Sequence, residues 1–261
     1  MLPDFEMIIH KFPERKDITI IPIADVHLGA RECMEQEFMA FIGNVAERDD
    51  TYLILGGDLL DNGLRNSLTN VYRATMMPSA QKKMMAKLLE PVRDKILCSV
   101  SGNHEKRSSR DSDDDPNYDI MAKLDLEHLH RESMAFLKLQ FGDAEADGRR
   151  NPTYTLAVTH GHGGGMMTSG AVLRGERTAY AIDGADCLIF GHTHKPFVSA
   201  HGKLSIDTHN NIVSIKPFKV LCMTSWLDYT SYAMDKMLLP TAHAIQTITL
   251  SGDHKEMTIT M

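Results

Sequence analysis

The stretch Tyr52-Leu53-Ile54-Leu55-Gly56-Gly57-Asp58-Leu59-Leu60-Asp61-Asn62-Gly63 decides how the rest of the chain is read. A short apolar run closed by two glycines predicts a buried strand ending in a tight loop. Asp58 is then presented at the carboxyl end of a strand, where open α/β sheets place their ligand sites. Upstream, the β-rich run Ile18–Ile23 leads into Ala24-Asp25-Val26-His27-Leu28-Gly29 in the same way. Between the two, Phe38, Phe41, Ile42 and Val45 recur at helical spacing within Glu35–Arg48. That β-α-β order predicts parallel strands joined right-handed over one sheet face.

Working outward, Met7–His10 reads as a short edge strand, and a stretch up to Met77 as helical in part. Pro78 starts a helix with Met84, Met85, Leu88, Leu89 and Val92 on its apolar side, the methionines serving as core filler. Lys95–Val100 is a strand delivering Gly102-Asn103-His104-Glu105, and Lys106–Asp115 reads as a polar, solvated loop. Asp115-Pro116 predicts a helix start, with Ile120, Met121 and Leu124 on the buried side. His128 and His130 follow near its end, where the helix dipole favours them, and read as structural or surface residues. Ala135–Phe141 reads as a strand, 142–151 as an exposed polar loop, and Thr153–Val158 as a strand that points His160 outward. Gly161-His162-Gly163-Gly164-Gly165-Met166-Met167 is not a phosphate-cradling loop, because no Gly-Lys-Ser/Thr closes it; it reads as a turn at the site. Cys187–Phe190 delivers Gly191-His192-Thr193-His194. Strand-like runs around Phe197–Ala200, Ile212–Ile215, Val220–Met223, Ala244–Leu250 and Met257–Thr260 suggest a second, mainly antiparallel sheet.

At 261 residues the chain can form one α/β domain over 1–261, and no Pro/Ser-rich linker divides it. The formal charge of −7 argues against indiscriminate binding to nucleic acid or anionic membrane, although a local basic patch is compatible with it. Cys33, Cys98, Cys187 and Cys222 form no Cys-x-x-Cys pair and suit free thiols in a reducing compartment. The opening residues show no signal-peptide pattern, and no apolar stretch approaches the ~20 residues of a membrane helix. A cytoplasmic protein without membrane partners is the expectation; the sequence leaves the oligomeric state open.

The five blocks around Asp25, Asp58, Asn103, His160 and His192 supply carboxylate, amide oxygen and imidazole, without thiolate. That set suits Mn²⁺, Fe, Zn²⁺ or Mg²⁺, and the histidine count exceeds what a pure Mg²⁺ or Ca²⁺ site uses. Asp25, His27, Asp58, Asn103, His160, His192 and His194 over-supply one ion but suit two divalent ions sharing a bridging carboxylate. Such two-metal sites serve phosphoryl hydrolysis, lowering the pKa of a bridging water to make hydroxide. His160 is preferred to His162 because it directly ends its strand.

The ordered set Asp-x-His, Gly-Asp-x-x-Asp, Gly-Asn-His-Glu, His and Gly-His-x-His, from Asp25 to His194, resembles the calcineurin-like metallophosphoesterases, some phage and prophage members included. The resemblance implies a four-layer α-β-β-α sandwich with a dinuclear centre between loop ends. Carried over by position, it implies Asp25, His27, Asp58 and His194 on one metal, and Asp58, Asn103, His160 and His192 on the other. His104 would contact the phosphate and assist the leaving oxygen, and Asp61 and Glu105 would orient the histidines. Manganese is the favoured ion. The resemblance implies a phosphoesterase, with a phosphodiesterase or nuclease first, a phosphomonoesterase second and a non-catalytic docking module third. Every ligand and His104 are present, which favours an enzyme. Arg107, Arg110, Arg174 and Arg177 either grip flanking phosphates of a nucleic-acid substrate or are ordinary surface arginines. Trp226, Tyr229 and Tyr232 either line the site mouth or pack in the core.

Overall fold

A computed structural model of the chain describes residues 5–14, 16–65, 67, 71–142, 151–164, 167–230, 233–234 and 237–261. In chain order the elements are β1 (Met7–Phe12), β2 (Ile18–Ile23), α1 (Glu35–Ala46), β3 (Thr51–Leu55), α2 (Pro78–Leu89) and β4 (Ile96–Val100). There follow α3 (Glu105–Ser112), α4 (Pro116–Lys123), β5 (His130–Arg131), β6 (Met134–Phe141), β7 (Thr153–Thr159) and α5 (Thr168–Ala181). The chain closes with β8 (Cys187–Phe190), β9 (Phe197–Asp207), β10 (Ile212–Cys222), β11 (Thr247–Leu250) and β12 (Met257–Thr260).

Two mixed six-stranded sheets result, in the orders β1-β6-β7-β8-β10-β9 and β12-β11-β2-β3-β4-β5. The β2-β3 and β3-β4 pairs are parallel, as the β-α-β order requires. The sheets pack face to face, and every second residue of β6 (Ala135, Leu137, Leu139, Phe141) is buried in the shared core. α1 adds Phe38, Ile42 and Val45 to that core, while α4 lies on β4 and β5. α5 covers the other sheet through a smaller cluster of Ala171, Ala179, Leu188, Phe190, Phe218 and Val220. This is the α-β-β-α sandwich.

Several local expectations are corrected. The polar stretch after Gly102-Asn103-His104 is helix α3, not a solvated loop. It is polar nearly all round and buries only Glu105 and Ser108, so apolar periodicity gave no signal. The segment after the glycine-rich turn is helix α5, whose buried face is made of Ala171, Gly175 and Ala179; small residues let it sit close to β8 and β10. The C-terminal strands form no sheet of their own: β9 and β10 extend one sheet, and β11 and β12 the other. Ile212–Ile215 and Val220–Met223 belong to one strand, β10, divided in the sequence by Pro217. Pairing of β10 with β8 begins only at Lys219, so the missing N–H of Pro217 is tolerated on that side. α4 ends at Lys123, and His130 is buried in β5, held by the Asp115 carboxylate at 3.2 Å instead of a helix dipole. Asp115 does cap α4, accepting from the N–H groups of Asn117 and Tyr118. Trp226 is a core residue packed on Phe38 and Phe41, whereas Tyr229 is exposed. Tyr232, Gly165, Met166 and most of the 142–151 segment lie outside the described residues.

At the amino end of β7, Tyr154 ties the two sheets together. Its hydroxyl lies 2.8 Å from the Ser251 carbonyl and 2.9 Å from those of His254 and Glu256, and it accepts the Glu256 N–H at 2.9 Å. The turn between β11 and β12 is thereby pinned to β7. Tyr154→Phe is expected to lower stability by about 1–2 kcal/mol, the worth of a buried hydrogen-bonded hydroxyl. Urea unfolding measures this, and a midpoint equal to wild type contradicts it.

Candidate metal centre

The loops that leave β2, β3, β7 and β8 stay paired with one another after the strands end. Asp25 N–H donates to the Gly57 carbonyl and His27 N–H to that of Asp58, both at 3.0 Å, and Gly191 N–H donates to the His160 carbonyl at 3.0 Å. Five side chains of these loops stand on left-handed backbone: Asp25 (φ 53°), His27 (50°), Asp58 (49°), His192 (68°) and His194 (54°). Non-glycine residues adopt that region at a cost of about 1–3 kcal/mol each, and such strain collects at functional sites. Packing enforces it here. A Cβ on Gly102 would stand 2.1 Å from Asp58 Oδ1, and one on Gly191 would stand 2.8 Å from Asp25 Oδ2. Glycine is required at both positions so that two backbones can press against the carboxylates.

The turns bring the six histidine and aspartate candidates for metal binding, Asp25, His27, Asp58, His160, His192 and His194, together. Among the described residues, three overlapping groups have ligand atoms within 4.8 Å of one another: Asp25-His27-His194, His27-Asp58-His104 and Asp58-His160-His192. His194 Nε2 is 3.2 Å from Asp25 Oδ1, and His160 Nε2 is 3.2 Å from Asp58 Oδ2. His27 Nε2 lies midway, 3.9 Å from both Asp25 Oδ1 and Asp58 Oδ2. The Asn103 side-chain oxygen is 3.1 Å from His160 Nε2. His162 is exposed and belongs to none of the groups.

These donors fit a divalent cation. Asp25 Oδ1 is buried and faces only imidazole nitrogens, His194 at 3.2 Å and His27 at 3.9 Å, an acceptor that a cation would satisfy. His160 Nδ1 lies 2.9 Å from the Gly56 carbonyl, so that nitrogen carries a proton and Nε2 faces the carboxylates. Burial works against a charged His160, but the Asp58 carboxylate, its hydrogen bond and Asp25 outweigh it and push the imidazole up to about 10. Burial likewise opposes charge on His194, and Asp25 raises it nonetheless. Burial drives His27 well below the usual histidine value, with His104 adding to the effect, and burial also lowers His192. A cation arriving here would displace the proton that His160 holds, while burial already favours the neutral form of His27 and His192.

The supporting residues differ in part from expectation. Glu105 orients backbone instead of a histidine: its carboxylate accepts the N–H groups of Asp58 (2.9 Å), Leu60 (3.1 Å) and Gly102 (2.9 Å). Burial and then the neighbouring Asp58 push its carboxyl up to about 7. His104 Nδ1 donates to the backbone carbonyl of Asp61 at 2.7 Å, while the Asp61 carboxylate is 3.7 Å away. Arg107 caps the other ring nitrogen, donating from Nη2 to His104 Nε2 at 2.8 Å and from Nη1 to the Asp61 carbonyl at 3.2 Å. His104 is thus a neutral imidazole, lowered first by burial. Arg174 packs over Gly163, and Arg110 and Arg177 are exposed. Two supporting residues were missed in the sequence. Asn62 donates to the His104 carbonyl and Ser108 Oγ, both at 2.8 Å, and Gln81 of α2 accepts the Asn62 N–H at 2.9 Å. Only a buried glutamine on an apolar helix face could have hinted at them. Glu105→Ala leaves three buried N–H groups without partners and is expected to cost about 3 kcal/mol or more. Glu105→Gln, retaining one acceptor oxygen, should cost less; equal stability of both variants and wild type in chemical denaturation contradicts this role.

The solved structures similar to this one include a conserved uncharacterized protein, a predicted phosphoesterase, of Streptococcus pneumoniae TIGR4 (11% identity, TM-score 0.38, 93% of this chain and 88% of that one). A metallophosphoesterase of Sphaerobacter thermophilus aligns at 15% identity and TM-score 0.38, over 93% of this chain and 87% of that one. The NAD nucleotidase of Haemophilus influenzae aligns at 9% identity and TM-score 0.42, over 94% of this chain and 49% of that one. No curated protein matches the chain. The assignment rests on sequence: the family described as calcineurin-like phosphoesterase matches residues 18–196, the span that carries every candidate ligand. The chain belongs to the calcineurin-like phosphoesterase family, whose members are metal-dependent hydrolases of phosphate esters.

Proposed function

We propose that this protein, acting as a single domain over 1–261, is a phosphodiesterase with two divalent ions, manganese favoured, and nucleic acid as its substrate class. Asp25, His27, Asp58 and His194 would hold one ion, and Asp58, Asn103, His160 and His192 the other. The observation that carries the reading is the convergence of three overlapping donor groups on Asp58 and His27 beside the buried Asp25 carboxylate. The thiolate-free nitrogen and oxygen set is compatible with manganese, as it is with Fe, Zn²⁺ or Mg²⁺. Bound there, such a pair supplies Lewis acidity toward phosphate and lowers the pKa of water. Four free thiols, three of them buried, suit a reducing, cytoplasmic setting. Among the described residues no helix is long and apolar enough to cross a membrane.

The chain's own groups would do the rest. Asp61 fixes the His104 proton at Nδ1 through its carbonyl, leaving the Nε2 lone pair toward the site. In the free protein that lone pair is occupied by Arg107. An arriving phosphate competes for the guanidinium, to which it is geometrically matched. Nε2 is then free to take a proton and pass it to the leaving oxygen. Asn103 and residues 162–164 are exposed, and on the diester reading the two arms of the substrate would lie over these surfaces.

Three outcomes are expected. Asp58→Asn should weaken both metal positions and Asp25→Asn mainly one, as read by elemental analysis after incubation with Mn²⁺; wild type that takes up no transition metal overturns the proposal. His104→Ala should keep its metal and lose roughly 10²–10⁴-fold in turnover, the worth of a positioned proton donor. Loss of metal in that variant would make His104 a ligand. With Mn²⁺, the protein should cleave bis-aryl phosphate in preference to mono-aryl phosphate, and single-stranded DNA with a steep decline in added salt. Preference for the monoester makes it a phosphatase instead, and salt-insensitive cleavage restricted to small esters removes nucleic acid.

A further inference from the structure

The β9–β10 ribbon outruns the body of the protein. β8 covers the flank of β10 only from Lys219 onward, whereas β9 and β10 remain paired for seven further residue pairs, from Phe218–His201 to Ile212–Asp207. At about 3.4 Å per residue the overhang is roughly 23 Å. Its two faces are unlike each other. One carries His201 and Lys203 against the end of α5: Tyr180 packs on His201 and Phe218, and Lys203 Nζ donates to the carbonyls of Ala179 (2.8 Å) and Ile182. The opposite face continues the sheet face that buries Leu221 in the main core, but among the described residues no second sheet lies over it.

On that bare face the cross-strand pairs are Leu204–Ile215 and Ile206–Val213, followed inward by Gly202–Pro217. The four aliphatic side chains are 77%, 70%, 73% and 63% exposed, in that order. α5 packs one face of the ribbon only as far as Lys203, and the ribbon presents its most apolar surface to solvent. We infer that the face formed by Leu204, Ile206, Val213 and Ile215 is a dimerisation surface that packs against the same face of a second copy of this chain.

Area and charge favour that occupant. Each side chain carries on the order of 100 Å² of apolar surface, so the four together expose roughly 300 Å² per chain, a patch of the size that marks a functional site on a monomer. Two such faces remove roughly 600 Å² of apolar surface. With an interface about 60% apolar, the total is near 1,000 Å², where specific association begins. None of the six residues in the three pairs is charged, while Lys203 and Lys216 form a pair of the opposite parity. Lys219, on the same side one pair further in, donates to the Met257 carbonyl, so the four-residue patch itself offers no cation to an anionic lipid surface or nucleic acid. An identical face is complementary to it, and a two-fold axis closes the assembly at two copies.

Sedimentation velocity on the full chain from about 1 to about 100 µM should show a monomer–dimer equilibrium, the small interface placing the Kd in the micromolar range. Leu204→Lys combined with Ile215→Lys should raise the Kd at least about 100-fold while leaving metal content and ester hydrolysis unchanged, because neither residue is near the centre. Ile206→Ser is a milder second variant with a smaller effect of the same sign. Amide exchange in the wild-type ribbon should slow as concentration rises. A wild type that stays monomeric throughout overturns the inference, as does a dimer equally tight in both variants. A monomer that binds neutral phosphatidylcholine vesicles through these residues also overturns it, assigning the face to lipid.

Discussion

The close approach of the Gly102–His104 backbone to the Asp58 carboxylate is the constraint on which the rest depends. Asp58 accepts the His104 N–H at 2.8 Å, pairs with His160 at 3.2 Å and leaves no room for a side chain at Gly102. Glu105, one residue past His104, takes the Asp58 N–H itself, so the loops after β3 and β4 are fastened to each other by two acids in opposite senses. Both acids are fully shielded, and their mutual repulsion is tolerated because each has N–H donors or an imidazolium beside it. Left-handed backbone at Asp25, His27, Asp58, His192 and His194 is the geometric result. Strands that end together cannot otherwise turn their next side chains inward.

Such strain needs a rigid frame. Packing supplies it: Ile20, Leu53, Ile54, Leu55, Val158 and Ile189, on the strands that lead into these turns, are fully buried. Where packing is densest the turns have least freedom, so the frame itself holds the carboxylates and imidazoles close together. The buried Asp58 and Asp25 carboxylates raise His160 and His194 against the opposing effect of burial, so acid and imidazole are coupled within the centre.

The elements that end at the centre were legible because each is a short apolar run followed by a ligand-type residue. Ile18–Ile23 and Cys187–Phe190 matched the strands residue for residue. What escaped reading had no period to read. α3 is polar on nearly every side, and α5 buries small residues that look the same in a loop. Pro217 cut β10 in two in the sequence, because a proline's missing donor matters only where a neighbouring strand needs it, and that neighbour is set by tertiary pairing. The gathering of seven candidate ligands at successive strand ends was visible. The Arg107 cap on His104, and the Asn62–Gln81 brace beneath it, depend on distances between segments that no spacing along the chain encodes.

Asp25, Asp58 and Asn103 follow strands of one sheet, while His160 and His192 follow strands of the other. A cation held among them would be a rivet through the sandwich, set at one end, with Tyr154 fastening the two sheets near the other. Sliding the sheets past each other by a single residue would displace the halves of the ligand set by roughly 3.3 Å, more than the length of a metal–nitrogen bond. Shear between the sheets and the integrity of the centre are therefore one mechanical coordinate, and a protein loaded with its ions should resist sliding deformation that the empty sandwich yields to.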